Sequence, residues 1–285
     1  MNTTSNPNTT WFITGASSGF GLAFAEFALA QGYNVVATAR TPARLAELAA
    51  SHPERVLVLP LDVTADGDAE RAVAAAIERF GRIDVLFNNA GYGIVGALEE
   101  SSDTEFRAQM ETNFFGALRV TRAVLPQLRA QRGGAIVNIS SLGGQLSLGG
   151  FSAYSASKFA MEGLSEALAQ EVASFGIKVL IAEPGSFRTS FSAAALKLMP
   201  AMDAYCDSVG GTRSLMQGMH GTEAGDPAKA AAAIDAALRA DRTPLRLQLG
   251  DDAVDMVRAH AETLLRDLGT WEAVARDTRI ELATA

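Results

Sequence analysis

The sequence has very little cysteine and histidine, which narrows the chemistry open to it. Cys206 is the only cysteine among 285 residues, so no disulfide can form within one chain. The three histidines are too far apart in sequence to suggest a metal site, and we therefore predict a metal-free protein. They are His52, His220 and His260.

Long apolar runs and targeting signals are also lacking. No uninterrupted apolar stretch approaches the roughly 20 residues of a membrane span. Residues 1–10 lack the basic and apolar regions of a signal peptide. We therefore expect a cytoplasmic protein without membrane association, with a flexible N-terminus at 1–10.

The chain has fewer basic than acidic side chains. The chain has 24 Lys and Arg against 32 Asp and Glu, a net charge of −8 and a pI near 5.0. This balance argues against a nucleic acid or an anionic membrane as partner. Hydrophobic residues make up 48% and charged residues 20%, as in ordinary globular proteins. Since no linker interrupts the chain, we expect one domain with a substantial core.

What the sequence does have is a regular alternation of short β-branched runs and longer alanine-rich stretches. This alternation is typical of a parallel sheet with helices on both faces. We predict one doubly wound, seven-stranded α/β domain over 11–250, with a helical extension of the same domain over 251–285. The predicted strands are 11–13, 34–38, 56–60, 85–88, 135–140, 179–183 and 245–249. The predicted helices are 21–31, 69–80, 104–130, 153–174 and 227–239, with 253–268 and 271–279 in the extension.

A glycine-rich turn follows the first predicted strand. Gly15, Gly19 and Gly21 lie between that strand and the helix 21–31, in the spacing Gly-x-x-x-Gly-x-Gly. Such a turn lets the backbone approach a pyrophosphate, and the helix N-terminus offers free N–H groups and a positive dipole. We therefore predict a dinucleotide site. The alternative is a turn whose glycines serve only the backbone conformation.

Tyr154 and Lys158 are four residues apart in the predicted helix 153–174, so they share one helix face. A cation near a phenol favours the phenolate and lowers its pKa from about 10. This would suit Tyr154 to acid–base chemistry. The chain has only four tyrosines and four lysines, so an accidental pair is rare, although chance remains the alternative for the pair alone.

Six motifs, in order along the chain, resemble the short-chain dehydrogenase/reductase family. They are residues 14–21, residues 88–91, Ser141, Tyr154, Lys158 and residues 184–185. The resemblance extends from residue 11 to about 250. It implies a Rossmann-like fold and an oxidoreductase that interconverts a carbonyl and an alcohol.

The resemblance also implies a role for each catalytic residue. Ser141, thirteen residues before Tyr154, would polarise the substrate carbonyl while Tyr154 supplies the proton. Lys158 would hold the nicotinamide ribose and lower the tyrosine pKa. Asn113 would bend its helix and hold a water that links the lysine to solvent. The alternative for Ser141 is a serine that only forms a turn. The alternative for Asn113 is a residue on the protein surface. A serine hydrolase is a poorer interpretation, because Ser141 lies outside any Gly-x-Ser-x-Gly motif.

The cofactor can be inferred from the end of the second predicted strand. An NAD enzyme places Asp or Glu there for the ribose hydroxyls, but this chain has Arg40 and Thr41. The Arg40 guanidinium suits a 2′-phosphate, which favours NADP(H); a solvated surface arginine is the alternative. By resemblance, Asp62 is expected to hydrogen-bond the adenine amino group; the alternative is a helix cap or a turn residue. The resemblance implies cofactor contacts from Gly15, Ser17, Ser18, Gly19, Phe20, Gly21, Arg40, Thr41, Asp62, Val63, Asn89, Ala90, Gly91, Tyr154, Lys158, Pro184, Gly185, Phe187 and Thr189.

The stretch 190–225 is rich in methionine and leucine. We predict a substrate lid, because lids exclude water from hydride chemistry and methionines suit adaptable apolar contacts. An ordinary packing loop is the alternative. Further residues expected near the pocket are Tyr92, Leu142, Gln145 and Leu148, so the substrate pocket leans apolar.

Together these features predict an NADP(H)-dependent oxidoreductase acting on a small-molecule ketone or aldehyde and the corresponding alcohol, with Tyr154 as general acid/base. One alternative is a non-catalytic NADP-binding sensor on the same fold, and the other is an NAD-linked alcohol dehydrogenase. By resemblance, the helices 104–130 and 153–174 pair across the interface of a homodimer or homotetramer.

Overall fold

The computed structural model describes residues 8–280. Residues 1–7 and 281–285 lie outside this range, and with them most of the predicted flexible N-terminus. The elements in chain order are β1 (Thr10–Ile13), α1 (Gly19–Ala30), β2 (Asn34–Ala39), α2 (Ala46–Ser51), β3 (Val56–Pro60), α3 (Asp68–Phe80), β4 (Val85–Asn88), β5 (Gly93–Val95), α4 (Asp103–Met110), α5 (Gly116–Gln131), β6 (Gly134–Ile139), α6 (Ser152–Val172), β7 (Ile177–Pro184), β8 (Leu196–Leu198), α7 (Cys206–Gly218), α8 (Pro227–Arg239), β9 (Arg246–Leu249) and α9 (Asp251–Arg276).

Seven strands form one sheet in the order β3-β2-β1-β4-β6-β7-β9. Every neighbouring pair is parallel, which requires a crossover connection between consecutive strands. The order runs outward in both directions from β1, so the sheet is doubly wound. This confirms the fold class predicted from the alternation of strands and helices.

The two faces of the sheet bury separate apolar clusters. Along β1, Trp11 and Ile13 pack on the face covered by α1 and α8, whereas Phe12 packs on the face covered by α3, α5 and α6. The alternation follows from the period of two along a strand. Because both faces are covered, the strands are apolar throughout, as expected for a parallel sheet.

The predicted helix 104–130 is interrupted. The chain forms α4, then a π-helical turn at Glu111–Phe115, then α5. A π turn inserts one extra residue into the helical register, a feature that apolar periodicity alone does not reveal. The inserted turn contains Asn113.

The predicted helices 253–268 and 271–279 are instead one continuous helix, α9. Gly269 lies between the two predicted stretches, and a glycine costs an exposed helix only about 1 kcal/mol relative to alanine. The helix continues past it, and Arg276 pairs with Glu272 one turn earlier.

Two short strands were not predicted. β5 and β8 pair in parallel as a separate two-stranded sheet, and three residues are too few for a periodic signal. Among the helices of residues 8–280, none combines the length and the apolar composition needed to cross a bilayer.

Candidate active site

The polar residues predicted from the sequence gather at one edge of the sheet. Parallel strands share one carboxyl edge, and β1, β4, β6 and β7 lie side by side there. These strands lead directly into the glycine turn, Asn89, Ser141 and Gly185. Ligands of doubly wound folds bind at this edge, so the fold brings together motifs that are far apart in sequence.

The glycine turn is built so tightly that side chains would not fit. Gly15 and Gly19 have φ of 66° and 55°, a region that favours glycine. A Cβ on Gly21 would collide with the carbonyl oxygen of Gly15. Ser18, which precedes α1, makes no side-chain cap to any described residue, and the first turn of α1 carries no acid. The first N–H groups of α1 are therefore available to an anion.

Asn89 supports this turn from the neighbouring strand. Its Nδ2 donates to the backbone oxygens of Thr14 at 2.9 Å and Gly15 at 3.2 Å. The Thr14 hydroxyl in turn accepts from the N–H groups of Asn89 and Ala90. Asn88, one residue earlier, bonds Asn138 of β6 at 2.8 Å. The motif 88–91 thus ties three strands together.

Ser141, Tyr154 and Lys158 meet on one wall of a cavity. Ser141 follows β6 and begins the turn at Leu142–Gly144. Its Oγ accepts from the N–H of Gly143 at 3.0 Å, so its own proton remains available to donate. Tyr154 and Lys158 lie in the first two turns of α6. The Lys158 Nζ lies 5.6 Å from the centre of the Tyr154 ring and donates to the Ile139 oxygen at 2.8 Å.

The expected lowering of the Tyr154 pKa is wrong for this structure. Burial raises the pKa of Tyr154 to about 12, and only the hydrogen bond with Ser141 opposes it. Burial likewise lowers the pKa of Lys158 to about 8, against the charge of Glu162, which raises it. The physical reason is that both groups lie against apolar walls, where the charged form of each is disfavoured.

Asn113 is buried, so the surface interpretation is wrong. Its Nδ2 donates to the Tyr92 oxygen at 2.9 Å and to the Ser157 Oγ at 3.1 Å, and its Oδ1 accepts from the Tyr92 N–H. Ser157 donates to the backbone oxygen of Tyr154 at 2.6 Å. Asn113 therefore links the β4 end to the helix turn that carries Tyr154.

The residues expected at the adenosine end lie at the ends of β2 and β3. Arg40 and Thr41 are exposed just after β2. Asp62 uses its Oδ1 to accept from the N–H and hydroxyl of Thr64, at 2.9 and 2.7 Å, which fits the turn-forming alternative. Burial acts to raise the pKa of Asp62, but the Thr64 bonds and the charge of Arg40 outweigh it and the pKa is lowered. Val63 is buried against Gly116 of α5.

The segment after β7 lies over the glycine turn. A Cβ on Gly19 would lie 3.4 Å from the Thr189 Cβ, and the Phe187 ring is 5.1 Å from that of Phe20. Gly185 has no room for a side chain because the Asp252 carboxylate of α9 lies against it. That carboxylate accepts from the Ser186 N–H at 2.7 Å, so α9 holds this segment in place.

The cavity has a volume of about 260 Å³ and is mainly apolar. Predicted site residues on its wall are Phe20, Asn89, Gly91, Ser141, Tyr154, Lys158, Pro184, Gly185, Phe187 and Thr189. Its apolar side chains also include Tyr92, Leu142, Leu146, Leu148, Phe151, Phe191, Leu215, Met216, Met219 and Met256. Of the four expected pocket residues, only Gln145 is not in the wall. The segment 190–225 thus contributes Phe191, Leu215, Met216 and Met219.

The segment 190–225 is attached to the loop after β5. Glu100, whose side chain is 1% exposed, pairs with Arg213 of α7 and accepts from the Met202 N–H at 2.7 Å. Arg213 also donates to the Met199 oxygen. This attachment was not predicted, because Glu100 and Arg213 are more than 100 residues apart in sequence.

A model of the family described as short chain dehydrogenase matches residues 9–200. The chain belongs to this family. Oxidoreductase BOA17 of Botryotinia fuckeliana is 43% identical over 262 residues, which cover 92% of this chain and 96% of that protein. The 3-ketodihydrosphingosine reductase of Bacteroides thetaiotaomicron is 48% identical over 180 residues, 63% of this chain and 64% of that protein. A solved short-chain dehydrogenase from Streptomyces avermitilis is 51% identical, with a TM-score of 0.91 over 95% of this chain and 99% of that one.

This short-chain dehydrogenase is thus an oxidoreductase, and its family binds NAD(P). A solved family member from Burkholderia phymatum in complex with NAD is 24% identical, with TM-score 0.79 over 97% of this chain and 98% of that one. An alcohol dehydrogenase from Thermococcus sibiricus complexed with 5-hydroxy-NADP is 26% identical, with TM-score 0.70 over 85% of this chain and 95% of that one. The cradle around Gly15, Gly19 and Gly21 and the open first turn of α1 fit such a dinucleotide.

Proposed function

We propose that this protein is an NADP(H)-dependent oxidoreductase that interconverts an apolar ketone or aldehyde and its alcohol. The observation that carries the proposal is the meeting of Ser141, Tyr154 and Lys158 on the wall of one apolar cavity at the carboxyl edge of the sheet. When bound, the nicotinamide supplies or accepts the hydride. The protein's own task is to position the substrate and move one proton.

The proton is assigned to the Tyr154 hydroxyl. With a pKa of about 12, Tyr154 is a neutral phenol at physiological pH and is ready to donate to a carbonyl oxygen. The Ser141 hydroxyl donates to the same oxygen and polarises the carbonyl. Lys158 supplies a positive charge that stabilises the phenolate left after donation. The neutral Tyr154 phenol favours carbonyl reduction. Alcohol oxidation needs the phenolate and should become faster as pH rises.

The preference for NADP(H) rests on Arg40. It is the residue that follows β2, where an acid would bind ribose hydroxyls, and it is exposed and free to reach a 2′-phosphate. By this proposal the N–H groups at the start of α1 bind the pyrophosphate, and Asp62 and Val63 lie at the adenine. The protein works in the cytoplasm, where NADP pools are kept reduced.

The proposal of an apolar substrate is based on the side chains in the cavity wall. Its three methionines, Met216, Met219 and Met256, and the aromatic rings of Phe151 and Phe191 make most of the wall surface apolar. The charged side chains in the wall are Lys158, Glu223 and Asp252. Similarity to a protein named 3-ketodihydrosphingosine reductase supports a ketone as the substrate.

The test is NADPH oxidation with ketones of graded chain length and polarity, with NADH run alongside. We expect turnover that increases with apolar size and depends on NADPH. Arg40→Asp should lose the NADPH preference, while Arg276→Asp makes the same charge change on a 70% exposed side chain at the far end of α9 and should keep it. Faster turnover with NADH than NADPH in the parent would contradict the cofactor assignment, and the absence of turnover with every carbonyl would contradict the reductase.

A further inference from the structure

Two buried carboxyl groups lie behind the catalytic lysine, and the reaction described above does not use them. Glu162 on α6 is 4% exposed, and Glu183 near the end of β7 is fully buried. Residues four apart on a helix are neighbours. Tyr154, Lys158 and Glu162 therefore form one row along α6, with the lysine between the tyrosine and the glutamate.

Both carboxyl groups share one arginine. The Arg246 Nε of β9 lies 3.0 Å from Glu162 Oε2 and 3.3 Å from Glu183 Oε1. Gln145, which follows the turn begun by Ser141, donates to the same two oxygens at 3.2 and 3.0 Å. The pair is therefore enclosed between the serine turn, α6, β7 and β9.

Two negative charges cannot both be accommodated easily in this site. Burial raises the pKa of Glu162 to about 7; the Ser140 hydroxyl and Arg246 oppose this, and the charge of Glu183 adds to it. Burial raises the pKa of Glu183 as well. Close carboxyl groups of this kind share a proton. Full ionisation of both carboxyl groups is therefore disfavoured.

Glu162 lies one helical turn from Lys158 on α6, and its negative charge favours the ammonium form of the lysine. Lys158 donates to the Ile139 oxygen and lies in an apolar environment that disfavours its ammonium, and Glu162 is the charge that opposes this effect. Among the described residues, the charged groups around Glu162 are Lys158 and Glu166 on its own helix, Glu183 on β7 and Arg246 on β9.

We propose that Glu162 is a positioning residue for the reaction: its carboxylate keeps Lys158 as an ammonium beside Tyr154, and Glu183 limits this effect by sharing a proton with Glu162. The proposal rests on the proposed function, since it gives Lys158 a catalytic task. It also explains why a buried acid is present at this point of α6, where an apolar residue would pack at lower cost.

The test is direct titration of Lys158 by NMR with labelled lysine. The chain contains only Lys158, Lys178, Lys197 and Lys229, so loss of one signal in Lys158→Arg assigns the resonance. We expect Glu162→Gln to lower the Lys158 pKa by at least about half a unit. Glu183→Gln should raise it, because Glu162 then ionises without a like charge beside it.

Glu166→Gln is the matched control. Glu166 binds the same Arg246 at 2.7 Å from the next turn of α6, but its side chain is 53% exposed. Its loss should leave the titration of Lys158 unchanged. A loss of packing alone would not shift the pKa of Lys158 in opposite directions in Glu162→Gln and Glu183→Gln.

An unchanged Lys158 pKa in Glu162→Gln, or shifts of one sign in both variants, would overturn the proposal. If Glu162→Gln does not fold, the rise expected in Glu183→Gln decides alone, and its absence overturns the proposal. Because the titration needs no turnover, its result is separate from the fate of the reductase assignment. Where turnover is observed, the alkaline limb of the kcat profile should move to lower pH in Glu162→Gln and stay in place in Glu166→Gln.

Discussion

Gly21 lies where α1 first passes the turn after β1. A methyl group there would collide with the Gly15 oxygen and lie 2.7 Å from the Asn89 Nδ2. Both neighbours are fixed, because Asn89 is bonded to Thr14 and Gly15. The site therefore has no room to adjust.

Gly21→Ala should lower the free energy of unfolding by about 2 kcal/mol, as overpacking does, and weaken NADPH binding because α1 is displaced from the pyrophosphate. Thermal denaturation and fluorescence titration measure the two effects. Gly163→Ala is the control, since Gly163 lies in helix α6 and a Cβ there meets no described atom within 4 Å. It should stabilise by up to about 1 kcal/mol. Equal behaviour of the two variants would show that the close approach at Gly21 is not needed.

The candidate site residues Ser141, Tyr154 and Lys158 were predictable because each belongs to a local motif. Tyr154 and Lys158 are one helical turn apart, and Ser141 lies at the end of an apolar strand. The direction of their pKa shifts was not predictable, since it depends on burial by side chains from distant segments such as Phe191. For the same reason the pair of Glu162 and Glu183 was missed. One acid lies in a helix and the other in a strand, and only the fold brings them together.

At the scale of elements, the seven main strands could be predicted from apolar runs with turns at both ends. The π turn at Glu111–Phe115 could not, because apolar periodicity does not reveal a single inserted residue. Asn113 in this turn and Gln109 one turn earlier both donate to the Tyr92 backbone oxygen, a contact that only the fold brings about. The continuity of α9 was missed because the two predicted stretches leave out residues 269–270, which the helix includes.

The segment 190–225 depends on the pair formed by Glu100 and Arg213. Burial acts to raise the pKa of Glu100, but the N–H groups of Met202 and Ala97 and the Arg213 charge outweigh it, and the pKa is lowered. A carboxyl group whose pKa is lowered by folding stabilises the fold when the pH is above the ordinary carboxyl pKa. This stabilisation is lost as the pH falls through the lowered pKa. The attachment should therefore hold at neutral pH and weaken only in acid.

Arg213→Ala should destabilise the protein by about 3 kcal/mol, because it leaves Glu100 as a buried charge without its partner. Amide exchange across α7 should become faster, and the KM for an apolar ketone should rise. Lys197→Ala is the matched control. Lys197 also lies in the segment 190–225, but its ion pair with Glu105 is more exposed than the pair of Arg213 and Glu100, and exposed pairs contribute little to stability. If exchange across α7 were as slow in Arg213→Ala as in the parent, the attachment would lie elsewhere.

At the scale of the whole molecule, several apolar side chains remain exposed. Phe115 and Phe159 are on the helices expected to pair between subunits, and α9 exposes an apolar stripe. The stripe comprises Leu264, Leu265, Leu268, Trp271 and Val274. Groups of exposed apolar residues on a globular protein mark interaction sites. We therefore propose a homodimer or homotetramer.

Light scattering at assay concentrations should give the mass of two or four chains, and Phe159→Glu should lower it by placing a charge in the interface. Glu166→Gln, a polar change further along α6, should leave the mass unchanged. A single-chain mass for the parent would remove the proposal.

The central claim is that Tyr154 donates the proton in carbonyl reduction, and one comparison tests it most directly. Tyr92 and Tyr154 both line the cavity, so removal of each hydroxyl makes the same chemical change within one site. NADPH-dependent reduction of an apolar ketone should be measured for the parent, Tyr154→Phe and Tyr92→Phe, together with NADPH affinity.

We predict that Tyr154→Phe keeps its NADPH affinity and loses about 10²–10⁴-fold in kcat, the range of general acid catalysis, whereas Tyr92→Phe stays close to the parent. Reduction by Tyr154→Phe at the parental rate would contradict the account.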